Sequence, residues 1–229
     1  MNAADRATMR LSLRALHAMA RDAGIAEVGT GIETRRRIVK AFQEGHCDVV
    51  DGHPGDNTLG ALWSISKPSR ETFLARAQYA ADASDKTIYK LGRGGFGWFE
   101  DELDPAADCS GFVAHCLDRS RTPQSDFAWG NTEWWWSTDS MYADAVKHHR
   151  VLRQVSAPSA GTICVYPDSN GKHGHTGIVA EVRDGKLIGY DCSSSQYRKH
   201  GDAIRFRDLS FFLRNPRAIF CEPAFWSES

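Results

Sequence analysis

What this chain lacks narrows it first. Its six cysteines, at 47, 109, 116, 164, 192 and 221, include no CxxC pair and no other metal-binding spacing. Disulfide frameworks belong to small secreted domains that cannot build a core, so in 229 residues most of these are expected as free thiols. Neither sign of charge dominates. With 28 Lys and Arg against 29 Asp and Glu the formal net charge is −1, which gives no global field to draw nucleic acid or an anionic membrane. No apolar run is long enough to span a membrane, and Arg6, Arg10 and Arg14 interrupt the stretch where a secretory signal would need an unbroken apolar core. The expectation is a soluble product made in the cytoplasm without a signal peptide, with no nucleic-acid partner and no membrane insertion. A phosphate-cradling loop is also missing: the glycines at 92, 94 and 95 follow no clear strand, and no Gly-Lys-Ser/Thr ending accompanies them.

What is present is an ordinary globular composition, 41% hydrophobic and 25% charged, enough for one large domain or two small ones. The chemistry concentrates at Asp108-Cys109-Ser110-Gly111-Phe112-Val113. A polar run ending in Pro105-Ala106-Ala107 precedes it, and the apolar helical pattern Phe112, Val113, Cys116, Leu117 comes after. A cysteine there sits in the first turn of a helix, where unpaired N–H groups and the helix dipole favour a thiolate. The competing reading is a small buried residue, the commoner fate of isolated cysteines and the one expected of Cys116.

A nucleophile needs a base, and the base an orienting group. Strand-like runs cover 161–166, 176–182, 186–192 and the region of 218–221, with Asp184-Gly185 as a hairpin turn between the middle two. His175 opens the second run. Asp191, on the third, can lie antiparallel beside it and accept its imidazole N–H. Helices fall mainly before residue 151 (about 8–21, one after Thr34, one after Thr58, 73–83, from Cys109, and 137–149). The layout is therefore α+β.

The N-terminal block carries a leucine-bearing helix with Leu11, Leu13, Leu16 and Met19, then Gly31 and Thr34, Ala41-Phe42-Gln43, Val50-Asp51-Gly52, Gly55 and Thr58, and a closing segment with Leu59, Leu62 and Trp63. Threonines would cap helices, glycines permit turns, and the apolar positions build a small core. This ordered set resembles the three-helix peptidoglycan-binding module found on cell-wall hydrolases. A bundle without a ligand would have the same pattern. Proline and small polar residues around Ser-Lys-Pro-Ser-Arg suggest domains at 1–65 and 72–229 joined by a linker at 66–71.

The remainder resembles the NlpC-type cell-wall cysteine peptidases, whose fold is papain-like. Asp108-Cys109-Ser110-Gly111-Phe112 matches that family's nucleophile motif in full, and Gly174-His175-Thr176-Gly177-Ile178 its base motif. The third position, most often His in the family, is Asp191. Tyr89 and Gly92 approximate its Tyr-x-x-Gly-Gly stretch, set further from the cysteine by an insertion. The resemblance implies a cofactor-free Cys109–His175–Asp191 triad acting on bacterial peptidoglycan, commonly at the bond between D-glutamate and diaminopimelate. The oxyanion would be met by the Cys109 N–H. Tyr89, Asp108, Ser110 and Trp134 are candidate substrate contacts, although Asp108 and Ser110 also suit helix-start scaffolding. Trp134-Trp135-Trp136 cannot all face one core, so stacking on sugar rings competes with partial burial.

Other readings stay open. A muramoyl-alanine amidase or an acyltransferase would use the same residues. His173-x-His175 could begin a zinc site, though without an accompanying third ligand. A wall-binding or phage structural protein could carry an idle copy of the domain. If the chain is a lysin, holin-dependent release is implied; if a secreted effector, a dedicated secretion machine and a cognate immunity protein.

Overall fold

The computed structural model describes residues 8, 13–26, 28–29, 31–54, 58, 61–62, 68–83, 87–94, 106–117, 119 and 136–228. Expectations placed on Leu11, Gly55, Leu59, Trp63, Trp134 and Trp135 lie outside those residues.

In the N-terminal block, helix α1 (Leu13–Asp22) packs against α2 (Ile32–His46). Leu16, Met19, Ile38, Val39, Phe42 and Leu62 are fully buried. Each such side chain contributes about 1.5–3 kcal/mol relative to exposure. The cap of α2 is Gly31, not Thr34. Thr34 falls in the first turn, close enough to Gly29 that a Cβ there would meet its methyl at 3.2 Å. Gln43 organises the turn beyond α2. Its amide donates to Asp51 Oδ1 (3.1 Å), the His53 carbonyl (2.9 Å) and Thr58 Oγ1 (2.9 Å). Its carbonyl oxygen accepts from the N–H groups of Asp51 (3.1 Å) and Gly52 (2.8 Å). The Val-Asp-Gly turn is thus clipped to the helix by one buried amide, and Thr58 serves as its partner.

Helix α3 (Arg70–Ala83) includes the last two residues of the expected linker. Two short strands, β1 (Ile88–Tyr89) and β2 (Ala106–Ala107), pair in parallel and lead into α4 (Cys109–Cys116). Every residue of α4 is buried. A helix apolar on all sides needs cover all round, and α4 packs against α3 and against two strands of the main sheet. Helix α5 (Thr138–Ala143), capped by Ser137, continues as a π-helical turn through His148.

The main sheet comprises β3 (Leu152–Val155), β4 (Ile163–Tyr166), β5 (His175–Arg183), β6 (Lys186–Cys192), β7 (Ile204–Asp208) and β8 (Ile219–Pro223). Its order is β3-β8-β4-β5-β6-β7, with every pairing antiparallel. Strands β5 and β6 are the two that cover α4. The β5–β6 turn is Asp184-Gly185, both at positive φ (51° and 73°), as a type I′ hairpin requires. Helix α6 (Ser194–His200) bridges β6 and β7. Glu222 on β8 draws the ends of this region together, with Arg70 Nη2 at 2.9 Å and Arg153 Nη2 at 2.5 Å. Mixed helices and an antiparallel sheet make the region α+β, as expected; β1, β2, β3 and β7 were not foreseen.

Candidate active site

The start of α4 is built by Asp108. Its Oδ1 accepts from the Gly111 N–H (2.8 Å) and from Ser110 Oγ (3.0 Å), and its Oδ2 from the Gly92 N–H (2.7 Å). One carboxylate therefore caps the helix and ties the glycine-bearing segment to it. Gly94 has to be glycine: its φ is +84°, and a Cβ would come within 2.8 Å of the Ala107 methyl. Asp108 and Ser110 are 2% and 4% exposed, and the structure places both in the helix start and neither in the lining of the cleft described below. Their polar atoms are turned inward to fix Cys109 at the first helical position. There its own N–H has no intrahelical acceptor.

His175 opens β5 opposite Tyr166 of β4. Its Nε2 lies 2.7 Å from Asp191 Oδ2, which leaves Nδ1 for the side-chain hydrogen bond with Cys109. Strand register sets this up: Asp191 pairs with Gly177, two residues along β5 on the same face as His175. The imidazole stacks on Phe212 (centroids 5.8 Å apart, planes within 6°), with Phe211 at 5.9 Å and Tyr166 at 6.3 Å. Its side chain is 14% exposed, so one edge stays open.

The electrostatics favour an imidazolium. Burial opposes the charge on His175. The hydrogen bonds to Asp191 and Cys109, and the negative charge each can carry, outweigh it and push the group up to about 10. Burial likewise opposes ionisation of Asp191, but His175 and Arg207 hold that carboxyl below its ordinary range. Asp191 is fully buried and accepts from Arg207 Nε (2.8 Å, Oδ1) and Nη2 (2.5 Å, Oδ2). Elsewhere, burial pushes the thiols of Cys116, Cys164, Cys192 and Cys221 upward, which keeps them protonated and poor nucleophiles.

A cleft of about 540 Å³ opens over His175. Tyr89 and Leu91, from the β1 segment, share it with Tyr166, Arg207 and Phe211. Tyr89 thus reaches the site despite its distance in sequence, because β1 pairs beside the residues that precede Cys109. The run Ser193–Ser195 adds hydroxyls to the lining. Cys109 is 6% exposed and does not itself line this cleft; His175, whose charge it influences, does. Trp136 is buried beneath the Arg119 guanidinium, 5.1 Å from its ring, while Trp134 lies outside the described residues.

The two histidines of the His-x-His pair turn to different carboxylates. His173 Nδ1 sits 3.6 Å from Asp168 on the surface, and His175 faces Asp191. Among the described residues no group of three His, Cys, Asp or Glu is arranged to hold a metal.

Arg207, Tyr166, Phe211 and Phe212 were not anticipated. The alternation Ile204-Arg205-Phe206-Arg207-Asp208 is a period-two strand signal that could have brought Arg207 beside Asp191. Nothing local in the sequence marks the phenylalanine pair.

No curated protein matches the chain. The CHAP domain matches residues 100–192, the span that contains Cys109, His175 and Asp191. Residues 100–192 thus match a CHAP domain, a cysteine/histidine-dependent amidohydrolase/peptidase domain of the NlpC/papain-like type, which supports a peptidoglycan hydrolase in general.

Proposed function

We propose that the protein cleaves an amide bond of the peptidoglycan stem peptide, the D-glutamyl–diaminopimelate bond in particular, through a thioester on Cys109. The observation that carries this is the 2.7 Å hydrogen bond between His175 and the buried Asp191, with Cys109 acting on the same imidazole from a capped helix start. His175, protonated and held by Asp191, stabilises the negative sulfur that attacks the carbonyl carbon. The tetrahedral oxyanion meets the Cys109 N–H, left without a helical acceptor. As the C–N bond breaks, His175 gives its proton to the departing amine and the acyl group stays on sulfur. Water, deprotonated by His175, then attacks the thioester carbonyl; the free carboxylate leaves and the sulfur is released.

The N-terminal block serves in this reading as the wall-docking module, and the protein reaches the wall by lysis-linked release or dedicated secretion. Mass spectrometry of defined muropeptides treated with wild type and Cys109→Ala tests the proposal. Wild type is expected to produce one new amine and one new carboxylate within the stem peptide. The variant is expected to produce neither, with a loss on the order of 10⁴-fold or more, while keeping its fold and sedimenting with sacculi. Cleavage at the muramoyl–alanine bond would transfer the same triad to an amidase. Undiminished cleavage by the variant would remove Cys109 from the mechanism.

A further inference from the structure

Arg207 stands outside every motif that led to the site, yet it makes the closest contact with the triad's carboxylate. We infer that Arg207 is a positioning residue for the reaction, a fourth member of a Cys109–His175–Asp191–Arg207 chain that fixes Asp191 for His175 and balances its charge. This rests on the reading of Cys109 as the nucleophile.

Asp191 is fully buried, at the end of β6, and His175 engages only its Oδ2. A carboxylate held at one oxygen can pivot about its Cβ–Cγ bond and carry the imidazole with it. Arg207 closes that freedom. Its Nε meets Oδ1 and its Nη2 meets Oδ2, the forked, two-point grip that only a planar guanidinium offers. Strand register supplies the approach: Asp191 pairs with Arg205, so Arg207 lies two residues along β7 on the same face. Arg207 is itself braced, its guanidinium 5.0 Å from the Phe211 ring. Phe211 also flanks the imidazole, so His175 and Arg207 lean on one aromatic pair.

Charge works in the same direction as geometry. The groups around His175 are Cys109 and Asp108 from the start of α4, Asp191 and Cys192 from β6, and Tyr166 from β4. Arg207 comes from β7, and the exposed His173–Asp168 pair from the loop before β5. Arg217 lies on the far side of Tyr166, 5.4 Å from its ring. Among these, Arg207 is the cation whose hydrogen bonds go directly to the triad. Without it, Asp191 loses the two-point grip that holds it toward His175, and the site loses the cation bonded to its carboxylate. Both changes disfavour a negative sulfur: the first by letting the carboxylate turn away from His175, the second by Coulomb's law.

Two variants separate positioning from packing. Arg207→Lys keeps the charge and loses the fork. On soluble muropeptides it is expected to lower kcat by about tenfold to a hundredfold with KM unchanged, the usual cost of a small misplacement of reacting groups. Its pH profile for iodoacetamide alkylation of Cys109 should stay where the wild type's is. Arg207→Met loses both charge and fork. It is expected to lower kcat further and to move the acid limb of alkylation up by about one pH unit, a tenfold change in reactive sulfur at fixed pH. Full kcat in the Lys variant, or an unmoved limb in a folded Met variant, would overturn the inference. If the Met variant does not fold, the Lys variant's kcat decides alone. Failure of the underlying reading looks different: wild-type Cys109 would then alkylate no faster than the buried Cys164, and muropeptide cleavage would not depend on Cys109.

Discussion

Two buried polar hubs hold this molecule's two halves, and they end differently. In the N-terminal block Gln43 makes five hydrogen bonds, all to Asp51, Gly52, His53 and Thr58, and both ends of its amide are taken up. In the catalytic region Asp191 is buried as deeply, but its bonds lead outward. One branch runs through His175 to a sulfur at a helix start, and the other to a guanidinium in the wall of the cleft. A closed hub uses its polar groups to hold a shape. An open one carries charge toward a place where a substrate can sit. Motif residues of both kinds look equally meaningful in a sequence; only the direction of their bonds separates scaffold from chemistry.

The largest effect is expected at the open hub. Asp191→Asn keeps volume and removes the charge. It is expected to reduce kcat on soluble muropeptides by about 10²–10⁴-fold, the range seen when a triad's orienting carboxylate is lost. Stability provides a second readout. His175 has a raised folded-state value, so its contribution is complete below its ordinary value of 6.5 and disappears as pH rises through about 10. Asp191 is lowered, so its contribution is present above the ordinary carboxylate range and is lost as pH falls through the lowered value. The difference in Tm between wild type and Asp191→Asn should therefore be widest between the ordinary carboxylate range and pH 6.5, and narrow toward pH 10. A difference that stays flat over that range would mean that His175 is not the partner whose proton Asp191 holds.

At the closed hub the expected effect is smaller and of the other kind. Gln43→Ala strands the Gly52 N–H, which is buried, and the Asp51 N–H beside it. The cost should be about 1–3 kcal/mol, that of an unpaired buried polar group, seen by chemical denaturation. Cleavage of soluble muropeptides should be unchanged. A Gln43 variant that lost activity on soluble substrate while keeping its stability would break the contrast between the hubs.

How far the sequence revealed these halves depended on how local each signal was. Cys109 and His175 were visible because a helix start and a strand start each leave their mark within a few residues. Asp191 needed one further step, the Asp184-Gly185 turn that folds β6 back along β5. The cap at Gly31 was mistaken for Thr34 because threonine is the better capping residue in general, and the close approach to Gly29 that occupies it is a tertiary fact. Arg207 lies in a readable strand pattern, but its partner was not legible there. Its meaning depends on a register between β6 and β7 that no window of neighbouring residues contains. The phenylalanines that flank His175 are ordinary apolar residues until a turn after β7 brings them to its ring. Asp108 was read two ways, and its bond to Gly92, on a segment remote from α4 in sequence, decided for scaffold.

The smallest expected effect tests the boundary of the open hub. His173 lies two residues from the base and reaches Asp168 across 3.6 Å, with the two side chains 72% and 50% exposed. Such a pair contributes within about 0.5 kcal/mol, so His173→Ala should melt with wild type. Of the two histidines only His175 bonds to Asp191, and His173 lies against a different carboxylate. Muropeptide cleavage by His173→Ala should therefore stay within about twofold of wild type, the rate equivalent of that energy. A chelator should change neither protein, and iodoacetamide should stop both. Loss of activity in His173→Ala, accompanied by chelator sensitivity in wild type, would mean that the two histidines act together on a metal. The bonds from Asp191 through His175 would then have to end somewhere other than Cys109.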